Sequence, residues 1–245
     1  MRDACAVLPV QLGDGVWRVP TAIGDLVNSF VFLGSDGTVV VVDAGFKRGG
    51  RRVAAALRTL GKDLPDITHL VLTHAHMDHA GGAHRLVAGS PDVLAHRDDV
   101  ACLAAGREPD SDPGSLGGRL VNIAASVWRR PWYPPVTVTR PLADGEVVPI
   151  AGGLRVIHTP GHTPGHMSLL HKQSGVLITG DAVVNVRGLR AAPRLFCNNL
   201  RQQHDTRSRL LDLDYDIAAF THGAEVRTGA KAAVDEFIAR DPRRR

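Results

Sequence analysis

Short apolar runs separated by turn residues fill the first third of the chain. Residues 16–19, 29–33 and 38–42 are divided by Gly-Asp and Ser-Asp-Gly punctuation, the pattern of neighbouring strands in one sheet. Over residues 51–60 the period lengthens. Val53, Ala56, Leu57 and Leu60 fall on one helical face and Gly61 supplies a stop, so a helix is predicted to cover that sheet. Residues 67–72 predict a further strand. The stretch 107–118, rich in Gly, Pro, Ser and Asp, reads as a loop, and beyond it strand patterns resume at 154–158, 167–171, 176–180 and 217–220. A last helix is predicted over 230–240, with Val234, Phe237 and Ile238 facing inward.

Composition narrows the class. With 44% hydrophobic and 22% charged residues the chain is globular rather than disordered, and its 245 residues are enough for a substantial core. We read it as a single domain, 1–245, with an insertion at about 97–140 that shapes a substrate pocket. A net charge of +4 without a basic block or interleaved aromatics argues against nucleic acid as partner. Cys5, Cys102 and Cys197 are unpatterned and read as reduced thiols. No basic segment precedes a long apolar run and no stretch approaches 18 or more apolar residues, so a cytoplasmic protein without a membrane partner is expected. The oligomeric state stays open.

The chemistry concentrates in Thr-His-Ala-His-Met-Asp-His-Ala-Gly-Gly, residues 73–82, directly after the strand predicted at 67–72. A lone histidine such as His69 or His84 is more often a hydrogen-bonded structural residue. HxHxDH is different: it offers four ligands for zinc or a similar divalent metal within one turn. His74 and His76 point the same way in an extended segment, while Asp78 and His79 can turn toward a second position, a geometry that suits two metals. A dinuclear site needs more ligands, and three later segments follow predicted strands: residues 158–166 (HTPGHTPGH), 179–182 (TGDA) and 221–223 (THG).

This ordered set resembles the metallo-β-lactamase superfamily, over roughly residues 16–238, and the resemblance implies an α/β (α+β) fold, a four-layer αββα sandwich. It further implies that His74, His76 and His162 hold one metal, that Asp78, His79 and His222 hold a second, and that Asp181 bridges both. Asp43 and His166 are expected behind the ligands, and His158 is read as structural. The cofactor expected is two divalent ions, zinc first, with iron or manganese as alternatives. Two such ions hold a bridging water and lower its pKa from about 15.7 toward roughly 7. The predicted activity is therefore hydrolysis of a small-molecule ester, thioester or lactone by a bridging hydroxide, with Asp78 also handling its proton.

Within the superfamily the chain is similar to acyl-homoserine-lactone lactonases and to glyoxalase II thioesterases, with departures from each. The lactonases carry a tyrosine three residues beyond the bridging aspartate, where this chain has Val184. Glyoxalase II enzymes continue into a helical glutathione-binding domain, whereas here residues 223–245 follow His222. An iron-dependent persulfide dioxygenase is the alternative class, although Val-Val-Asn-Val-Arg-Gly-Leu-Arg stands where those enzymes carry an Arg-Thr-Asp stretch; β-lactam hydrolysis is a lesser alternative. Trp128, Trp132 and Tyr133 are nominated as an apolar wall over the metals, with Arg129 or Arg130 able to meet an anionic group.

Overall fold

In the computed structural model, which describes residues 8–128 and 130–240, four consecutive valines reveal the layering. Val39–Val42 form a strand buried on both faces: Val39 and Val41 pack to one side, Val40 and Val42 to the other. A strand that is apolar on both faces requires a covering layer on each.

One sheet runs in chain order: β1 (Val10–Gly13), β2 (Val16–Pro20), β3 (Asn28–Leu33), β4 (Val39–Val42), β5 (His69–Leu72), β6 (Asp92–His96) and β7 (Arg140–Leu142). It is antiparallel as far as β4 and parallel from β4 to β7. The second sheet uses β8 (Val147–Val148), β9 (Leu154–His158), β10 (Met167–His171), β11 (Val176–Ile178) and, after the small hairpin β12 (Val184–Asn185) and β13 (Leu189–Arg190), β14 (Ile217–Ala219). Its spatial order is β14-β11-β10-β9-β8, with β14 parallel to β11.

Helices α1 (Gly49–Thr59), α2 (Met77–Ala80), α3 (Ala83–Leu86), α4 (Val100–Ala105), α5 (Leu116–Val127), α6 (Leu200–Thr206) and α7 (Ala230–Ala239) complete the chain. Val53, Leu57 and Leu86 pack with Leu70 and Leu72 under the first sheet. Phe30, Val71 and Leu94 meet Val156, Leu169 and Ile178 between the sheets. Val234 and Ile238 of α7 meet Leu170, Leu177 and Phe220 beyond the second sheet. The result is helix, sheet, sheet, helix, the αββα order the sequence resemblance implied. Leu57, Leu70 and Leu72 are fully buried, and each such side chain contributes on the order of 2 kcal/mol.

The predicted strands and both predicted helices form, with ends within a residue or two. The loop expected at 107–118 ends early: α5 starts at Leu116, where the Ser115 hydroxyl accepts the Gly118 N–H at 2.9 Å. Gly117 and Gly118 disguise that start, because glycine is a poor helix former. Among the described residues no helix is long and apolar enough to cross a membrane.

Candidate metal centre

Parallel pairing decides where the polar residues collect. Because β4 and β5 run parallel, Asp43 and the Thr73-His74 turn follow the same ends of neighbouring strands; Asp181 and His222 likewise follow β11 and β14. The turn between β9 and β10, next to β11 in the second sheet, brings in His162. The seven residues implied as ligands meet at the seam of the two sheets.

His162 Nε2 lies 3.2 Å from Asp181 Oδ2, and His222 Nε2 lies 3.3 Å from the same oxygen and 3.4 Å from Asp78 Oδ2. His79 Nε2 is 3.6 Å from Asp181 Oδ1 and 3.7 Å from Asp78 Oδ1. The rings of His74, His76 and His162 approach within 4.5 to 4.8 Å between centroids. Three sets have ligand atoms within 4.8 Å of one another: His74, His76 and His162; Asp78, His79 and His222; and His74, His79 and Asp181. Asp181 lies between the first two.

A direct test of whether a cation fits comes from the nitrogen atoms. The Nε2 atoms of His74, His79 and His162 are buried without a hydrogen-bond partner, and a buried polar atom left unpaired costs about 1–3 kcal/mol. Their other nitrogens are engaged. His79 Nδ1 donates to Asp43 Oδ2 at 2.8 Å, His74 Nδ1 donates to the Thr73 hydroxyl at 3.0 Å, and His162 Nδ1 faces Cys197 Sγ at 3.6 Å. His222 Nδ1 donates to the Leu26 carbonyl. Each imidazole is thus held by one nitrogen with the other aimed inward, the arrangement that metal-binding histidines use. The residues fit a divalent cation on this ground.

Charge tells the same story. Burial alone would lower His79, but Asp78 and Asp43 outweigh it and raise its pKa to about 10. Burial likewise opposes protonation of His222, yet Asp181 raises it to about 9. Burial would raise the Asp181 carboxyl, and His222 and His162 instead hold it well below its ordinary value. The cluster is built to attract positive charge.

Behind the cluster stand three buried groups. Asp43, at a left-handed φ of 59°, accepts the Thr73 N–H at 2.8 Å and the Thr73 hydroxyl at 2.7 Å besides His79. His166 accepts the Asp181 N–H at 2.7 Å through Nε2 and donates to the Thr159 carbonyl through Nδ1; burial pushes its pKa down to about 3, so it is a neutral acceptor. Gly180, at φ 54°, sits so close that a Cβ there would come within 2.5 Å of His166 Nε2. Asp99 is the third group, and sequence reading missed it. It accepts from Ala75 N at 2.9 Å, Thr163 Oγ1 at 2.6 Å and Gly165 N at 2.7 Å, tying the loop of His74 and His76 to the loop of His162. In Arg-Asp-Asp at residues 97–99 nothing distinguishes it from the exposed Asp98.

His158 donates from Nε2 to the Pro164 carbonyl at 2.8 Å and stacks on His96 at 3.8 Å with the rings 14° from parallel. With Asp98 these two form another close trio, but lone pairs of parallel imidazoles do not converge on one ion.

A cavity of about 470 Å³ opens over the cluster, with Asp78, Asp181 and His222 at its floor. Trp132 lines it, as nominated. Trp128 and Tyr133 do not: Trp128 lines a neighbouring hollow, and Tyr133 is buried with its hydroxyl donating to the Ala75 and Arg107 carbonyls. Arg130 is exposed and outside the lining, and Arg129, like Cys5, lies outside the described residues. The apolar wall is instead shared with Leu26, Phe46, Val186 and Phe196, while Arg190 and Glu108 add charge. Glu108 accepts the Met77 N–H at 2.9 Å, and burial raises its pKa to about 7. These residues come from segments far apart in the chain, with only Val186 and Arg190 sharing one hairpin, and no local motif marks them.

Comparison with known proteins identifies the family. The chain is similar to a probable metallo-hydrolase of Bacillus subtilis (strain 168), YflN, at 28% identity over 60% of this chain and 56% of that protein. It is also similar to acyl-coenzyme A thioesterase MBLAC2 of Gallus gallus, at 28% identity over 70% of this chain and 64% of the relative. The matches span about three fifths of the length of these curated relatives. In three dimensions, a metallo-beta-lactamase family protein from Thermus thermophilus superimposes with a TM-score of 0.72 at 26% identity, covering 96% of this chain and 81% of that one. A model of the metallo-beta-lactamase superfamily matches residues 22–222, a span that contains all seven clustered residues, and the chain belongs to that superfamily.

Proposed function

We propose that the chain is a hydrolase that holds two divalent cations, zinc first, and cleaves a small-molecule acyl bond, with a thioester ahead of an ester or lactone. The observation that carries this reading is the set of inward-facing Nε2 atoms of His74, His79 and His162, buried without a hydrogen bond, with those of His79 and His162 3.6 and 3.2 Å from the Asp181 carboxylate. His74, His76 and His162 would hold one ion, and Asp78, His79 and His222 the other, with Asp181 between them. When bound, such ions lower the pKa of water toward roughly 7 and polarise an acyl carbonyl.

The protein groups then divide the remaining work. Asp78, half-buried in the cavity lining, would take the proton released by an attacking water. Asp43 and His166 keep His79 and Asp181 in register through the short bonds described above. The apolar wall excludes bulk water from the reacting carbonyl.

Leaving-group chemistry favours the thioester. Val184 lines the cavity where the lactonases place a tyrosine, Tyr133 is turned away, and Tyr215 is buried against the second sheet. A thiolate, with a conjugate-acid pKa of about 8.5, departs without the proton donor that an alkoxide requires. The thioesterase name carried by MBLAC2 points the same way.

Elemental analysis of purified protein, followed by assay against thioesters, aryl esters and lactones, tests the reading. About two zinc ions per chain and preferential thioester cleavage are expected. One iron per chain with oxygen uptake on a persulfide would replace the hydrolase by a dioxygenase.

A further inference from the structure

Beside the cavity over the histidine cluster lies a second hollow of about 440 Å³. Its distal lining is Val121, Ala124, Ala125 and Trp128 of the α5 segment together with Pro131. Met77 and Trp132 line both spaces, so a single saddle separates them. We propose that this hollow is the far half of the substrate site and takes the apolar tail of the acyl group whose carbonyl lies at the histidine cluster. This rests on the hydrolase reading above.

Three observations carry it. First, the hollow is lined by apolar residues throughout, so neither an anion nor a polar headgroup finds a partner there, whereas an alkyl chain loses only water. Secondly, it is a built space rather than a loosely packed one. Val121, Ala124 and Ala125 form one helical face at spacings of three and four, Trp128 at the helix's C-terminal end continues it, and the two alanines stand where larger side chains would close the gap. Polar bonds hold the helix over it: Ser115 caps Gly118, Asn122 bonds both the N–H and the carbonyl of Ser111, and Arg107 donates to the Ala125 and Trp128 carbonyls. Thirdly, the saddle is passable. Met77 is an unbranched, pliable side chain at 36% exposure, the type that adapts to variable apolar ligands.

The site therefore selects for chain length. An acyl group that stops at the saddle gains nothing from the hollow, and each methylene that passes it multiplies kcat/KM by up to about fourfold. Trp128 and Trp132 also report on occupancy, because both face the hollow, while Trp17 in β2 does not line it.

The experiment uses the full chain and two probes. Straight-chain acyl thioesters from acetyl to palmitoyl give the chain-length profile, and a non-hydrolysable long-chain thioether brominated at its tail gives binding through tryptophan quenching. The profile should rise steeply once the chain passes the saddle, and the tail-brominated probe should quench. Ala125→Phe, which fills the hollow, should cut the ratio of decanoyl to acetyl kcat/KM at least tenfold and remove the quenching; Ala124→Phe serves as a second filling variant if the first does not fold. Quenching without hydrolysis of any thioester would sink the proposed reaction and leave the tail site standing. A flat profile without quenching would overturn the tail site and leave the hydrolase intact.

Discussion

The seam of the two sheets and the segment from Arg107 to Trp132 border the same cavity, yet they are built in opposite ways. At the seam, His74, His79 and His166 have no solvent exposure, and several bonds hold each ligand loop. Across the cavity, α5 keeps only Gly118 buried, and Leu116, Leu120, Ile123 and Val127 are 60% to 78% exposed. The seam commits its interactions to one geometry. The segment holds its helix by a handful of polar bonds and leaves apolar surface uncovered. Where several bonds hold each buried side chain, position is over-determined and chemistry can be shared across a superfamily; where apolar surface is left uncovered, recognition can vary.

The largest expected effect breaks the seam at its centre. Asp181→Ala removes the carboxylate shared between the two histidine sets and leaves His162 and His222 without their common partner. Metal content should fall by at least one ion per chain and turnover by about a thousandfold or more. Full metal occupancy in this variant, measured by elemental analysis, would contradict its place between the ions.

Next comes the anchor. Asp99→Ala strands three buried donors, at Ala75, Thr163 and Gly165, and should cost about 3–5 kcal/mol in denaturant unfolding. Metal affinity should weaken about 10- to 100-fold at the same time, because both ligand loops lose their tie. A stability loss with unchanged metal affinity would show that Asp99 supports the fold without positioning the ligands.

A smaller effect belongs to the far wall. Glu108→Gln keeps the acceptor for Met77 N–H but removes an ionisable group from the cavity. If its carboxyl protonates leaving groups, ester cleavage falls about tenfold or more while thioester cleavage changes less than about twofold. Equal losses for both would assign Glu108 to binding instead.

The smallest effect lies at the end of β6, ahead of this segment. Burial first, then the stacked His158, pushes His96 down to about 4, whereas in the unfolded chain it titrates near its ordinary 6.5. The unfolded state therefore takes up its proton first as the pH falls, and stability present above about 6.5 is lost toward 4. His96→Gln should lose less Tm than the parent over that interval. Identical pH profiles would mean that His96 is neutralised in some other way.

Much of the seam was legible in the chain itself. HxHxDH stood out because ligand chemistry needs particular residue types at close spacing, and the resemblance to the superfamily then singled out His162, Asp181 and His222 after recognisable strands. Asp43 and His166 were readable from their place beside those motifs. Asp99 was not, because its role is to accept three backbone or hydroxyl donors brought from 24 to 66 residues away, and any aspartate in a turn looks the same. The places of Tyr133 and Trp128 were not legible for a related reason: the aromatic content of residues 128–133 was plain, but which ring turns inward depends on the packing of the segments around it.

By itself, the order of apolar runs and turns determined the strands and helices, ligand chemistry singled out HxHxDH, and the resemblance those motifs carry implied the four-layer architecture and the other members of the cluster. Only the tertiary structure decided which nitrogen of each imidazole faces inward, which carboxylate ties the loops together, and which loops wall the cavity. Those are relations between segments far apart in the chain, set by how two sheets and a standing helix pack, and no local pattern encodes them.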